Sequence, residues 1–209
     1  IQHAGGGTLS LPTNGDLTNS GGRVAGNGAL AIQSDGVLRN VGGSFGMAGD
    51  ATVHAASMDN GHGTFAAARV GLGLNQVLSN VGGTVQASSG MTVSAATLDN
   101  TGGYLKGTGS QALSVTTTGA LTNAVAGGTG GFLGGNGVVT VHAGSLRNAG
   151  QIYAGSALTV ASQGTLVNDV GALQAMSALK GSASPSLSNR SGRIEAGAGD
   201  SAATLVLNA

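Results

Sequence analysis

The sequence predicts an all-β fold, a right-handed parallel β-helix (solenoid) with about 20 residues per coil and roughly nine or ten coils. Three observations lead to this fold class: a Leu-x-Asn motif that recurs along the chain, short runs of alternating apolar and polar residues, and the absence of sustained helical spacing. The right hand is the sense that parallel crossover connections prefer.

The recurring motif is most complete at residues 78–85, which read Leu-Ser-Asn-Val-Gly-Gly-Thr-Val. Most intervals between its asparagines are 20 or 21 residues, and two are 23 and 25. Asparagine tolerates the left-handed backbone of a sharp corner, and stacked asparagine amides can donate to and accept from each other. We therefore predict a structural asparagine ladder made of Asn19, Asn40, Asn60, Asn80, Asn100, Asn123, Asn148, Asn168 and Asn189.

Each repeat reads as short strands joined by turns. In the fourth repeat, residues 83–87 and 91–95 alternate between apolar and polar, and Ser88, Ser89 and Gly90 between them are typical of a turn. Glycine every few residues opposes a helix. One coil buries too little to be stable alone, so we expect the repeats to fold as a cooperative array.

Three columns of apolar residues are predicted to face the interior. The first precedes each asparagine by two residues and contains Leu17, Leu38, Met58, Leu78, Leu98, Leu121, Leu146, Leu166 and Leu187. The second follows the asparagine and contains Val24, Phe45, Phe65, Val85, Leu105, Ile152, Leu173 and Ile194. The third lies in the middle of a strand and contains Ile32, Val53, Val93, Val115, Val141 and Val160. Phe45 and Phe65 occupy equivalent positions on successive coils, so we expect them to stack inside the bore.

The period suggests one β-helix segment, residues 1–209, taken from a longer repeat array. Longer coils are expected at 100–148, with the first extra residues near Thr116–Thr118 and the others around 126–131, where a plain flexible loop is expected. An irregular loop is expected near 180–187, because Pro185 has no amide hydrogen to give to a strand ladder.

Composition limits the partners. Eight basic residues balance eight acidic ones, which gives no electrostatic case for binding a nucleic acid or an anionic membrane. The absence of cysteine excludes disulfides, and no apolar run approaches the ~20 residues of a membrane-spanning helix. We expect a monomeric rod with no membrane span and no nucleic-acid partner.

The acidic residues are spread along the whole chain, and the sequence predicts no catalytic, cofactor-binding or metal-binding residue. Arg39 and Asp59 fall on adjacent coils, where we expect an exposed ion pair. Asp59 and Asp99 fall two coils apart, about 9.6 Å by the strand spacing. A glycosidase pair is disfavoured, since Arg39 would neutralise Asp59 and no aromatic platform for a sugar is evident. His54 and His142 are expected to face outward, several coils apart.

The Leu-x-Asn-x-Gly-Gly unit is followed by strands such as those at 91–95, 139–143 and 158–162. This combination resembles the haemagglutinin-type repeats of filamentous haemagglutinin, and it is equally similar to the shafts of contact-dependent growth-inhibition exoproteins of the two-partner secretion class. The resemblance covers nearly the whole chain and transfers no catalytic residues. It implies secretion to the cell surface of a Gram-negative bacterium through an outer-membrane secretion partner.

The resemblance leads to a first hypothesis, a non-enzymatic structural shaft segment of a large secreted adhesin. Such a shaft, a virulence factor, would attach bacteria to host cells by extending and presenting binding regions of the parent protein. Two alternatives stay open: a shaft segment that itself binds a host glycan or receptor, and the stick of a contact-dependent inhibition toxin. A β-helical polysaccharide-degrading enzyme is the least favoured.

Overall fold

The computed structural model describes residues 1–197 and 204–209. Within these ranges the chain forms strands and turns without a helix, and three strands make one coil. Equivalent strands of successive coils pair in parallel and build sheets of ten, ten and nine strands. The predicted all-β parallel solenoid is therefore confirmed, and its right-handed sense stays a prediction.

The three sheets run the length of the described array, and the chain visits them in the order A, B, C. Sheet A contains Gln2–His3, Arg23–Gly26, Ser44–Met47, Thr64–Ala67, Thr84–Ala87, Tyr104–Gly107, Phe132–Gly135, Gln151–Ala154, Ala172–Ala175 and Arg193–Ala196. Sheet B contains Leu9–Thr13, Leu30–Ser34, Ala51–Ala55, Val70–Leu74, Met91–Ala95, Leu113–Thr117, Val139–Ala143, Leu158–Ser162, Ala178–Ser182 and Thr204–Asn208. Sheet C contains Leu17–Thr18, Val37–Arg39, Ser57–Asp59, Val77–Ser79, Thr97–Asp99, Ala120–Ala124, Ser145–Ala149, Leu166–Val167 and Leu187–Ser188.

Alternation along each strand decides which side chains fill the bore. In Met91–Ala95 the first, third and fifth residues are buried, and Thr92 and Ser94 face solvent. The predicted apolar columns are in register from coil to coil, as in the pairing of Leu78 with Leu98. The structure adds Leu133 to the second column and Leu72 to the third. The core is thus a narrow apolar filling enclosed by three sheets.

The two buried phenylalanines stack inside the bore. Phe45 and Phe65 are in register on adjacent coils, and their ring centroids are 5.4 Å apart with a tilt of 44° between the planes. Both side chains are buried, which confirms the expected stack. Offset, tilted rings are the arrangement that aromatic quadrupoles favour.

The first long coil takes up its extra residues mainly at a different place from the one predicted. Five residues, 108–112, join its strands in sheets A and B, where the preceding coil uses three, 88–90. One more is added at 118–119. The expectation near Thr116–Thr118 is therefore wrong for most of the insertion, because Thr116 and Thr117 are strand residues paired with the preceding coil. A run of threonines is compatible with a strand, since threonine is β-branched.

The second long coil lengthens at the corner after Asn123, within the range that the sequence indicated. Eight residues, 124–131, separate Asn123 from Phe132, whereas three separate Asn100 from Tyr104. The chain turns at Gly127–Gly128, and Ala126 and Thr129 close the turn with two backbone hydrogen bonds of 3.1 Å. The inserted segment is a short hairpin, which we call the corner hairpin (residues 124–131).

Pro185 lies in the connection between Ala178–Ser182 and Leu187–Ser188, where its missing amide hydrogen costs no ladder bond. The irregular loop expected near 180–187 is shorter than predicted, because residues 180–182 pair with the preceding coil as a strand. Among the described residues, none form a helix long and apolar enough to cross a membrane.

Candidate functional site

At seven of the nine corners that follow sheet C, the chain makes a four-residue turn that begins with the asparagine and ends with a glycine. At Asn80-Val81-Gly82-Gly83, the Gly83 amide donates to the Asn80 carbonyl oxygen at 3.1 Å. Gly82, the third residue, has a φ of +63°, which is the left-handed region that glycine enters without strain. The corner thus depends on a glycine for its backbone shape.

The asparagine side chains of successive corners form one hydrogen-bonded column. The Nδ2 of Asn60 donates to Oδ1 of Asn80 at 2.8 Å, and the Nδ2 of Asn80 donates to Oδ1 of Asn100 at 2.7 Å. The same link joins each neighbouring pair of Asn19, Asn40, Asn60, Asn80, Asn100, Asn123, Asn148, Asn168 and Asn189 at 2.6–2.8 Å. Both lengthened coils keep the link, because their extra residues leave the corner asparagines in line.

Each ladder asparagine from Asn19 to Asn168 also donates from its side chain to a backbone carbonyl oxygen of the next coil. The Nδ2 of Asn80 donates to the Tyr104 carbonyl oxygen at 3.2 Å, and that of Asn100 donates to the Phe132 carbonyl oxygen at 3.0 Å. The seven inner asparagines, from Asn40 to Asn168, are fully buried. A buried amide needs its donors and acceptors satisfied, and the ladder provides this in every coil.

The last glycine of the corner packs against the ladder. A Cβ at Gly83 would overlap the Asn60 carbonyl oxygen and would lie 2.7 Å from Oδ1 of Asn80. The close approach explains why the motif ends in glycine at a position where φ is ordinary. The absence of a side chain at Gly83 thus lets adjacent corners lie as close together as the paired strands of the sheets.

Three residues other than glycine occupy the left-handed position of the corner: His62, Val170 and Ser191, with φ of 53–57°. Val170 is a β-branched residue, for which this region is costly, and 70% of its side chain is exposed. Its burial therefore cannot offset the backbone strain.

We expect Val170→Gly to raise the free energy of unfolding by about 1 kcal/mol, because relief of strain exceeds the extra backbone entropy of glycine. Chemical denaturation measures the change. The matched control is Val41→Gly at an exposed corner valine whose φ is not positive, where a loss of about 0.5–1 kcal/mol is expected. Equal effects of the two substitutions would contradict the assignment of strain to Val170.

The predicted Arg39–Asp59 ion pair is wrong. Arg39 and Asp59 are in register, but Nη2 of Arg39 lies 3.2 Å from Oδ2 of Asp16 on the preceding coil. Asp59 instead accepts a hydrogen bond from the Gly61 amide at 3.0 Å. The Val37 amide and then the Arg39 guanidinium lower the pKa of Asp16. The long arginine side chain reaches a carboxylate that a backbone amide has already fixed.

The carboxylates of Asp59 and Asp99 each accept a hydrogen bond from a backbone amide of the corner turn that follows. Asp99 accepts from the Thr101 amide at 2.9 Å, as Asp59 does from Gly61. A carboxylate that accepts from the backbone two residues on is a common local turn contact. These two acids therefore serve the corner backbone.

Asp169 has a lowered pKa, because the Ser188 hydroxyl donates to its Oδ1 at 2.7 Å and the Arg190 amide donates at 2.8 Å. A carboxyl group with a lowered pKa in the folded state stabilises the fold above its unfolded pKa and loses that contribution as the pH falls through the folded pKa.

We expect Ser188→Ala to raise the pKa of Asp169 toward its ordinary value, because the strongest hydrogen bond to the carboxylate is removed. Carboxyl-carbon chemical shifts followed by NMR from pH 2 to 6 measure it. Glu195 is an internal control, since its lowered pKa depends on Arg193 and Gln174. An unchanged titration of Asp169 would show that the serine hydroxyl does not hold the pKa down.

His54 and His142 face solvent from sheet B, as expected, and the register places them four coils apart. Within residues 1–197 and 204–209, no group of three histidine, aspartate and glutamate side chains is placed to hold a metal ion.

The outer face of sheet A carries aromatic rings that sequence reasoning missed. Tyr104 and Phe132 are in register on adjacent coils, with ring centroids 6.5 Å apart and a tilt of 35°. Tyr153 lies on the next coil, in register with Gly134. We call Tyr104, Phe132 and Tyr153 the aromatic platform. Neighbouring rings on this face were not expected from the sequence, because the corner hairpin shifts the count between Tyr104 and Phe132 and hides their register.

Comparison with known proteins gives a family for this architecture. The haemagglutinin repeat model matches residues 48–125 and 126–209. A protein named tRNA nuclease CdiA-2, from Burkholderia pseudomallei (strain 1026b), is 42% identical over 97 residues, which are 44% of this chain and 3% of that protein. The chain thus spans a small fraction of this relative's length, and no solved structure matches it. Because the repeat model covers most of a chain whose corners, columns and sheets repeat in the same period, the chain belongs to the filamentous haemagglutinin family of haemagglutinin-repeat proteins.

Proposed function

We propose that this segment is part of the structural shaft of a large exoprotein that a Gram-negative bacterium secretes by two-partner secretion. In this role the solenoid extends a functional region away from the cell surface, and an outer-membrane partner exports the chain. The family match supports the proposal, as does the relative's name, which belongs to a contact-dependent inhibition protein.

The observation that carries the proposal is the continuous asparagine ladder. Eight side-chain links join nine corners, and parallel sheets join the same coils on three sides. Separating two coils along the axis would therefore break many hydrogen bonds at once, together with the shared apolar packing. Such a connection resists bending and stretching, which a spacer between cell and target requires.

The shaft role can be tested by electron microscopy of the parent exoprotein with and without this segment. Nine or ten coils at the strand spacing of ~4.8 Å predict a fibre shorter by about 45 Å after deletion. Secretion into the medium, measured by immunoblot, should persist. Unchanged fibre length, or loss of a catalytic activity with the segment, would oppose a shaft role.

The chemistry of the outer faces supports a non-enzymatic role. The carboxylates with lowered pKa values, Asp16, Asp169 and Glu195, each interact with hydrogen-bond donors of sheet C, of a corner or of sheet A. Asp59 and Asp99 each accept from a corner amide. These carboxylates serve the fold, and a nuclease activity of the kind in the relative's name would reside in another domain of the parent.

Two targets fit such a shaft, a host cell to which the parent adheres and a neighbouring bacterium that it inhibits. The relative's name favours the second candidate, a stick of a contact-dependent inhibition protein. Deletion of the parent gene, assayed by host-cell attachment and by competition in co-culture, separates them. Loss of attachment alone supports the adhesin, and loss of competition alone supports the inhibition stick.

A further inference from the structure

The aromatic residues of this chain fall into two groups. The sequence has five, three phenylalanines and two tyrosines, with no tryptophan. Phe45 and Phe65 fill the bore, and the remaining three form the aromatic platform on three successive coils of sheet A. The three aromatic residues that do not fill the bore are thus gathered on one outer face, next to the corner hairpin.

The platform is held flat against the sheet. A Cβ at Gly134 would lie 3.1 Å from Cζ of Phe132, so the ring extends over the backbone of a residue that has no side chain. Tyr104 is 38% exposed and lies beside Phe132 at a shallow tilt. Tyr104 is thus the exposed ring of the platform, and Phe132 and Tyr153 are half-buried on the two following coils.

The corner hairpin forms a wall beside the platform. The Gly130 amide donates to the Tyr104 hydroxyl at 3.2 Å, which fixes the ring. Between the hairpin and the preceding corners is an open cleft of about 240 Å³, with His62, Thr101 and Thr129 among its lining residues. The cleft thus combines an aromatic edge with imidazole and hydroxyl groups.

A row of polar side chains continues the platform on its other side. Nε2 of Gln151 donates to Oε1 of Gln174 at 2.6 Å, and Nε2 of Gln174 donates to Oε2 of Glu195 at 3.0 Å. Gln151 follows Phe132 in register, and Gln174 follows Tyr153. The two glutamine amides can donate to and accept from hydroxyl groups of a ligand, and the Glu195 carboxylate can accept from them.

We propose that the aromatic platform, with its cleft and polar row, binds a neutral oligosaccharide lying along the solenoid axis. A sugar ring offers an apolar C–H face to an aromatic ring and hydroxyl groups to amides and imidazole, and binding sites of this kind combine aromatic walls with a few fixed polar groups. Lys106 is in register with Gly134 and, through it, with Tyr153, and Arg193 at the end of the polar row is paired with Glu195. One unpaired lysine among the described residues of this face does not match a sulfated or sialylated chain. The surface of three rings is also far smaller than the ~800 Å² of accessible area that each partner buries in a stable protein interface. This binding goes beyond the shaft role and does not depend on it.

The test uses the 209-residue chain on a glycan array of neutral, sialylated and sulfated oligosaccharides, followed by titration calorimetry with the neutral hits. We expect binding to neutral oligosaccharides, weakened roughly tenfold or more by Tyr104→Ala and by Phe132→Ala. Tyr104→Phe, which keeps the ring, should retain most of the affinity. The matched control is Val77→Ala, an exposed apolar residue on sheet C that should leave binding unchanged. Circular dichroism confirms that each variant keeps its β content.

Three outcomes would overturn the proposal. They are no binding to any neutral oligosaccharide, binding only to sulfated or sialylated chains, and binding to neutral chains that Tyr104→Ala and Phe132→Ala both leave intact. None of these outcomes changes the fibre length by which the shaft role is tested.

Discussion

Replacing Asn80 by aspartate lowers the free energy of unfolding by about 3–5 kcal/mol at pH 7, because it buries a charge whose neighbours are mostly acceptors. The Nδ2 of Asn80 donates to Oδ1 of Asn100 and to the Tyr104 carbonyl oxygen. A carboxylate oxygen at that place would face both acceptors with no proton to give. The side chain is fully buried, so water cannot screen the repulsion. Urea denaturation measures the loss.

The loss should depend on pH with a definite sign. Burial and the facing acceptors raise the pKa of an aspartate at this position above its unfolded value. The folded state then binds the proton more tightly than the unfolded state, so stability falls as the pH rises through the window between the two pKa values. Lowering the pH toward 4 should therefore restore part of the lost stability, because the protonated acid can donate to one neighbour.

The last rung of the ladder offers a matched control. Asn189 is exposed, accepts from Asn168 at 2.7 Å, and donates from its Nδ2 to the Gly192 carbonyl oxygen at 3.2 Å. Asn189→Asp keeps the accepting oxygen and leaves the charge in water, so we expect a loss below about 1 kcal/mol. If the two aspartates cost the same, or if Asn80→Asp shows no pH dependence, the buried ladder is not what holds the corners.

The period of the sequence was enough to predict the interior of the coil. An apolar residue recurs at the same distance from each corner asparagine, about every 20 positions. Counting from the asparagine therefore places Leu78 over Leu98 and Val85 over Leu105, as the structure has them. Counting from the asparagine failed to identify the inward residues in coils where extra residues lengthen the chain. Leu133 lies ten residues after its asparagine, so the five-residue spacing excluded it. Leu72 was missed since glycines flank it and remove the alternating signal.

Side-chain partners could not be predicted in the same way. Register fixes which residues are neighbours, but a long side chain can reach the coil before it or the coil after it. Arg39 reaches Asp16, whose carboxylate the Val37 amide already positions. Val170 stands where most other corners have glycine, but the sequence does not say whether the valine keeps the left-handed backbone or the turn changes shape. These features depend on local geometry, which the repeat pattern does not encode.

The asparagine ladder could be predicted from the sequence period, whereas the aromatic platform could not. The asparagines recur in the chain, so a column of amides follows from the period before any coordinates are known. Tyr104 and Phe132 are 28 residues apart, a spacing that no regular coil has, and they meet only because the corner hairpin absorbs the difference. Interruptions of a solenoid therefore create neighbours that periodicity hides.

Replacing Gly83 by alanine should lower the free energy of unfolding by about 2–3 kcal/mol or more, which is the cost of overpacking a tight interior. The added methyl group would overlap the Asn60 carbonyl oxygen, and it would lie 2.7 Å from Oδ1 of Asn80 and 2.9 Å from Nδ2 of Asn60. All three atoms belong to the ladder or its corner. Nδ2 of Asn60 donates to Oδ1 of Asn80 at 2.8 Å, and the Asn60 carbonyl oxygen accepts from the Gly63 amide at 3.0 Å, so none of the three can move aside without straining a hydrogen bond.

Substitutions at two other glycines, Gly82 and Gly46, serve as comparisons for Gly83→Ala, and we expect smaller losses of stability from both. Gly82→Ala places a side chain at a φ of +63°, 2.7 Å from the His62 ring, which can turn away about its side-chain bonds, and we expect a loss of about 1 kcal/mol from the backbone. Gly46→Ala in sheet A meets no atom within 4 Å, so its effect should stay within about 0.5 kcal/mol. Thermal and urea denaturation of the three variants measure the series. A loss for Gly83→Ala no larger than that for Gly46→Ala would mean that adjacent corners are free to separate, and that the asparagine ladder does not fix their spacing.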